Sequence, residues 1–123
     1  MKKIEKFEDI LAWQKSRKLS QNVYKLFKEN RDYSFKDQIC RASVSVSNNI
    51  AEGFERRSKK EFLMFLYIAK GSCGEVRSML YLATDLGYIS DKNFDLMYNQ
   101  ITEISKIIAG FIKYLKNNNF RTF

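Results

Sequence analysis

The 123-residue chain contains no histidine, and its only thiols, Cys40 and Cys73, sit at an unrelated spacing. Lack of histidine removes the commonest general base, the usual activator of a serine or cysteine nucleophile and the most frequent transition-metal ligand. A thiol still reacts where a neighbouring cation lowers its pKa, and Arg41 adjoins Cys40. Adjacent helical residues point in different directions, however, so both cysteines are expected to be buried and inert. Two such cysteines make neither a disulfide framework nor a metal knuckle. Glu52 and Glu55, three apart, have the spacing of acid–base or metal-binding carboxylates. Each also precedes a cation by four residues, Arg56 and Lys59, in the favourable order for helix ion pairs, which is their expected use. Gly71-Ser72-Cys73-Gly74 lacks the spacing of a phosphate-cradling loop and follows no strand, so the glycines are expected to serve close helix packing. No catalytic residue, metal or cofactor is assigned, and the chain is expected not to be an enzyme.

What remains is charge. The net charge of +8 favours anionic partners: nucleic acid, an acidic protein or an anionic surface. Its sharpest local expression is Arg56-Arg57-Ser58-Lys59-Lys60, with Arg41 upstream and Arg17 and Lys18 in the first helical segment. These seven cations are the candidate phosphate contacts. The competing reading is a solvated turn whose charges keep the protein soluble. Lys59 and Lys60 would stand near a helix N-terminus, where they oppose the dipole.

Four helical segments position these groups. With no proline and five glycines, little in the chain interrupts a helix. The first segment, about 9–29, starts at Asp9 as N-cap; Ala12, Ser16, Leu19, Val23 and Leu26 form its apolar stripe, which Trp13, Ser20, Tyr24 and Phe27 broaden. After the connector Asn30-Arg31-Asp32-Tyr33, Ser34 is the expected cap of a second helix, about 34–55, lined by Phe35, Ile39, Ala42, Val46, Ile50 and Gly53. Within it Ser43-Val44-Ser45-Val46-Ser47 alternates like a strand, but the helical period of the flanks outweighs five residues. Ser58-Lys59-Lys60-Glu61 has the form of a capping box opening a third helix, about 59–86, stopped by Gly87. Phe62, Leu63, Phe65 and Tyr67 make the start of this helix apolar on every side, which points to a subunit interface. Ser90 caps the fourth, about 91–116, whose Phe94, Met97, Ile101, Ile104, Ile108, Phe111 and Leu115 follow a heptad seam. Residues 117–123 read as a frayed tail. Short connectors imply an all-α, antiparallel up-down-up-down four-helix bundle occupying the whole chain, 1–123, as one domain. The N-terminus lacks the apolar core of a signal peptide, and the longest apolar run, Phe62 to Ala69, is too short to cross a bilayer; the expected location is cytoplasmic, without membrane contact.

The run from Gln38 to Gly53, with its Asn49-Ile50-Ala51-Glu52-Gly53 core, resembles the signature of the 23S rRNA-intervening-sequence protein family. Phe7 to Gln14, Phe65 to Ser72 and Leu86 to Ile89 match in order, so the similarity spans about Phe7 to Leu115. Asn48 stands where the usual form of the core has proline. The resemblance implies a four-helix bundle assembling as a homopentamer. It also implies kinship with accessory proteins of reverse transcriptases in diversity-generating retroelements, where a basic surface contacts nucleic acid and the enzyme. Carried over position by position, Arg41, Asn49, Glu52, Gly53, Gly71 and Glu75 match recurrent family residues, either as a binding site or as polar contacts that fix helix packing. The family itself implies no activity.

Two functional readings follow. In the first, a non-enzymatic oligomer contacts RNA or DNA through its basic surface. In the second, the protein is a scaffold that docks a reverse transcriptase or another protein without nucleic-acid contact, or has no defined biochemical activity.

Overall fold

The structure is a computed structural model and describes residues 3–118. A single 3₁₀ turn, Phe7–Asp9, precedes four helices: α1 (Leu11–Leu26), α2 (Tyr33–Phe54), α3 (Lys59–Asp85) and α4 (Asp91–Asn117). The described residues contain no strand. The strand-like serine run lies inside α2 because the buried Ile39, Ala42, Ser43, Val46 and Ile50 keep a helical period through it, and two of its hydroxyls turn back onto the helix backbone. Ser43 Oγ donates to the Cys40 carbonyl at 2.8 Å and Ser47 Oγ to that of Val44 at 3.2 Å.

Each helix packs on its sequence neighbours, and α1 closes against α4. The registers run antiparallel. Between α1 and α4, Lys15 pairs with Glu103 (2.6 Å) and Asn22 donates to Gln100 (3.1 Å), so ascending one helix descends the other. Gln38 meets Glu75 and Ser45 meets Ser72 in the same sense between α2 and α3. The core is the sum of the four stripes, with Leu19, Val23, Ile39, Ile50, Leu66, Leu80, Ile101, Ile104 and Ile108 removed from solvent. Burial of this kind, at about 25 cal/mol per Å² of apolar surface, is what orders the helices.

Two helix starts differ from expectation. Asp9 does not cap α1: its carboxylate accepts the Glu5 and Lys6 amides and closes the 3₁₀ turn, leaving extended Ile10 at the cap position. Asp32, not Ser34, caps α2 by accepting the Phe35 amide at 3.2 Å. Ser58 and Ser90 cap α3 and α4, each accepting an amide three residues on at 3.1 Å. Gly87, at φ 74°, ends α3 in a Schellman turn: Tyr88 N–H donates to the Ala83 carbonyl and Gly87 N–H to that of Thr84. Of the expected tail, Asn117 closes α4, and residues 119–123 lie outside the described residues.

Phe62 also corrects an expectation. It is fully buried, edge-on to Phe54 and Phe111, and therefore belongs to the chain's own core rather than to an outer face.

Candidate functional site

At Gly53 α2 and α3 approach so closely that a Cβ would lie 2.6 Å from Phe65 Cβ and 3.0 Å from Phe62 Cδ1. This motif residue is a packing requirement. The same approach brings Phe65 beneath Arg56, whose guanidinium carbon lies 4.7 Å from the ring centroid. Arg56 also reaches Glu52 at 3.8 Å, the expected i,i+4 pair. Its expected twin, Glu55–Lys59, does not form. α2 ends at Phe54, Glu55 is its C-cap, and Lys59 starts a new helix on the far side of the turn.

The candidate cations therefore fall into separate groups. Arg57 and Lys60 are exposed at the α2–α3 turn with the half-buried Lys59, and none of the three forms an ion pair among the described residues. Arg17 covers the Trp13 ring from 5.8 Å, and Lys18 beside it is exposed. Arg41 is exposed but stands 15 residues before Arg56, about 22 Å along the helix.

Instead, Arg41 shares a groove with two other motif residues. Asn49 and Glu52 line it from α2 together with Val44 and Asn48, and Tyr24 closes it from α1; the hollow measures about 370 Å³. Asn49 is anchored from below. Its amide donates to the Ser45 carbonyl (2.7 Å) and to Ser45 Oγ (2.9 Å), Ser45 Oγ lies 2.9 Å from Ser72 Oγ, and Ser72 donates to the Ile68 carbonyl (3.2 Å). Either hydroxyl can donate in the Ser45–Ser72 contact, which ties α2 to α3 beneath Asn49. Glu75 accepts a long 3.4 Å contact from Gln38 on the exposed flank of the same helix pair.

Gly71 does not serve packing within the chain. Among the described residues no side chain and no other helix's backbone lies within 4 Å of where a Cβ of Gly71 or Gly74 would stand, and Ser72, Cys73 and Val76 occupy the inward face of that turn. On the N-terminal side of this bare stretch α3 exposes apolar side chains beside Lys59 and Lys60. Met64, Tyr67 and Ile68 are 54%, 48% and 46% exposed and, with half-buried Leu63, border a shallow hollow of about 660 Å³. Lys116 of α4 lies 5.3 Å from the Tyr67 ring.

Burial pushes the Cys73 thiol up to about 12 and raises that of Cys40, the opposite of activation. No group of three or more Cys, Asp or Glu residues able to hold a metal occurs among the described residues. No helix among them is long and apolar enough to cross a membrane. Tyr24, expected in the apolar stripe of α1, is 52% exposed at the groove. Only the helix register could have signalled this, since Tyr24 falls one position after buried Val23.

Comparison with known proteins agrees with this architecture. A crystal structure of a protein of unknown function from the S23 ribosomal protein family of Bacteroides thetaiotaomicron VPI-5482 superposes with a TM-score of 0.79 at 27% identity, covering 85% of this chain and 100% of that one. No curated protein matches the chain. The sequence model of the 23S rRNA-intervening sequence protein family matches residues 8–110, and the chain belongs to that family.

Proposed function

We propose that the protein is a non-enzymatic, self-associating binding protein that contacts RNA or DNA through its basic surface. The observation that carries this reading is the α2–α3 turn, where Arg57, Lys59 and Lys60 project without an ion-pair partner among the described residues, on a chain of net charge +8. Cations left uncompensated at a helix junction are placed for phosphate oxygens, and neutralising phosphates releases counterions. Titration of a labelled single-stranded RNA at increasing salt tests it. Affinity should fall log-linearly with salt, with a slope of about 0.7 for each phosphate neutralised. Arg56→Glu together with Arg57→Glu should abolish binding. Absence of binding by the parent protein at low salt would reject the reading.

A second reading rests on the outer face of α3. Met64, Tyr67 and Ile68 form a half-exposed apolar patch, the kind of surface that on many proteins serves an interaction. This supports assembly of copies, in the five-fold ring that the family resemblance implies, or docking of a protein such as a reverse transcriptase. Recovery of a protein partner after nuclease treatment, without nucleic acid, would favour a scaffold over the first reading.

A further inference from the structure

We infer that the Tyr24 groove accepts one unpaired base of a single-stranded nucleic acid, an inference that rests on the nucleic-acid reading and names its substrate class. Tyr24 offers a half-exposed ring from α1, and the ten residues between Arg41 and Glu52 on the facing helix carry no charge. Each end of that stretch has a distinct electrostatic character. Arg41, exposed and without an ion pair among the described residues, is placed for a phosphate. Glu52, already engaged by Arg56, disfavours phosphate about 16 Å away at the other end.

Between them the groove has the chemistry of a base rather than of a backbone. A ring face stacks on any base, and an amide supplies both a donor and an acceptor to a base edge. Asn48 is exposed in the groove, with both amide functions unengaged among the described residues. Asn49 spends its donor on Ser45, which leaves its oxygen as an acceptor held in fixed orientation by the serine chain beneath. An acidic peptide would call for several cations here, and the groove has one. A duplex keeps its bases stacked on each other and would leave the tyrosine unused. A loop, bulge or strand end, whose base can be splayed onto an aromatic side chain, fits.

The test compares parent protein, Tyr24→Ala and Tyr24→Phe by anisotropy with three probes: a single-stranded RNA, the same strand carrying abasic positions, and its duplex. Circular dichroism checks that each variant folds. Tyr24→Ala should weaken the intact strand about tenfold, leave the abasic strand and the duplex unchanged, and be rescued by Tyr24→Phe. Unchanged affinity of Tyr24→Ala for the intact strand, while Arg56→Glu with Arg57→Glu still abolishes binding, would overturn the base site and leave the electrostatic reading standing. Equal loss toward intact and abasic strands would overturn it as well, and so would displacement of the strand from Tyr24-containing protein alone by an acidic peptide. Failure of the parent protein to bind any probe would remove both.

Discussion

At the scale of single residues, the motif positions divide between holding the helices and facing solvent. Gly53 holds: its missing side chain is occupied by Phe65 and Phe62. Gly53→Ala must therefore push α3 away or force two aromatic rings off their rotamers, an overpacking cost of about 1–3 kcal/mol. The gain in helix propensity from Gly to Ala, about 1 kcal/mol, offsets only part of it. The expected outcome is a lower thermal midpoint with unchanged helical content, and an unchanged or raised midpoint would show that α2 and α3 part easily. Asn49 belongs to both groups, donating inward to Ser45 while lining the groove. The spacing of Asn49, Glu52 and Gly53 was legible in the chain, but not which of the three was committed to packing. That depends on what the facing helix carries at the same level, and Phe65 is twelve residues away from Gly53 in sequence.

At the scale of elements, the stripes that predict the helices are long-range averages and survive local ambiguity, whereas their ends are local contests. Ser58, Ser90 and Gly87 were readable because each acts on its own next turn. Asp9 and Ser34 were not, because backbone amides on its N-terminal side claimed Asp9, and Asp32 preceded Ser34. The basic groups were legible as residues but not as places, since two helix turns or ten are alike in a composition. Asp32 does more than cap. Tyr88, from the α3–α4 connector, donates to Asp32 Oδ2 at 2.6 Å and ties the two loops at one end of the bundle. That bond, with the Phe35 amide, holds the Asp32 carboxyl below its ordinary 3.8, and it raises the Tyr88 phenol above its ordinary 10.0. A depressed carboxyl contributes stability that is present above its unfolded value and lost as pH falls through the folded one; a raised phenol contributes stability lost as pH rises through its folded value. The stability of this tie in the parent protein should thus begin to fall as pH drops below 3.8 or rises above 10.0, and be gone only beyond the lowered carboxyl and raised phenol values. Tyr88→Phe should lower the thermal midpoint between these limits and flatten both edges relative to the parent. Superimposable pH profiles for the two proteins would show that the loops are not coupled through this bond.

At the scale of the whole molecule, the outer face of α3 is the feature that the core does not explain. Its buried side is complete without Met64, Tyr67, Ile68 or Gly71. If copies of the chain cover that face, Met64→Glu with Ile68→Glu should lower the mass measured by light scattering to that of one subunit while helicity is retained. A parent protein that already runs as a lone subunit in dilute solution would reject assembly there. Gly71 separates the alternatives further, because its substitution has opposite signs in the two cases. On a face left in water, Gly71→Ala adds helix propensity and should raise the thermal midpoint, by the equivalent of about 1 kcal/mol, without changing the mass. On a face where another helix lies against the bare backbone, the added methyl obstructs that approach, and the same substitution should weaken assembly. Among the described residues no other part of the chain fills the space beside this mid-helix glycine, so the sign of the Gly71→Ala effect decides between a face in water and a face approached by a neighbour.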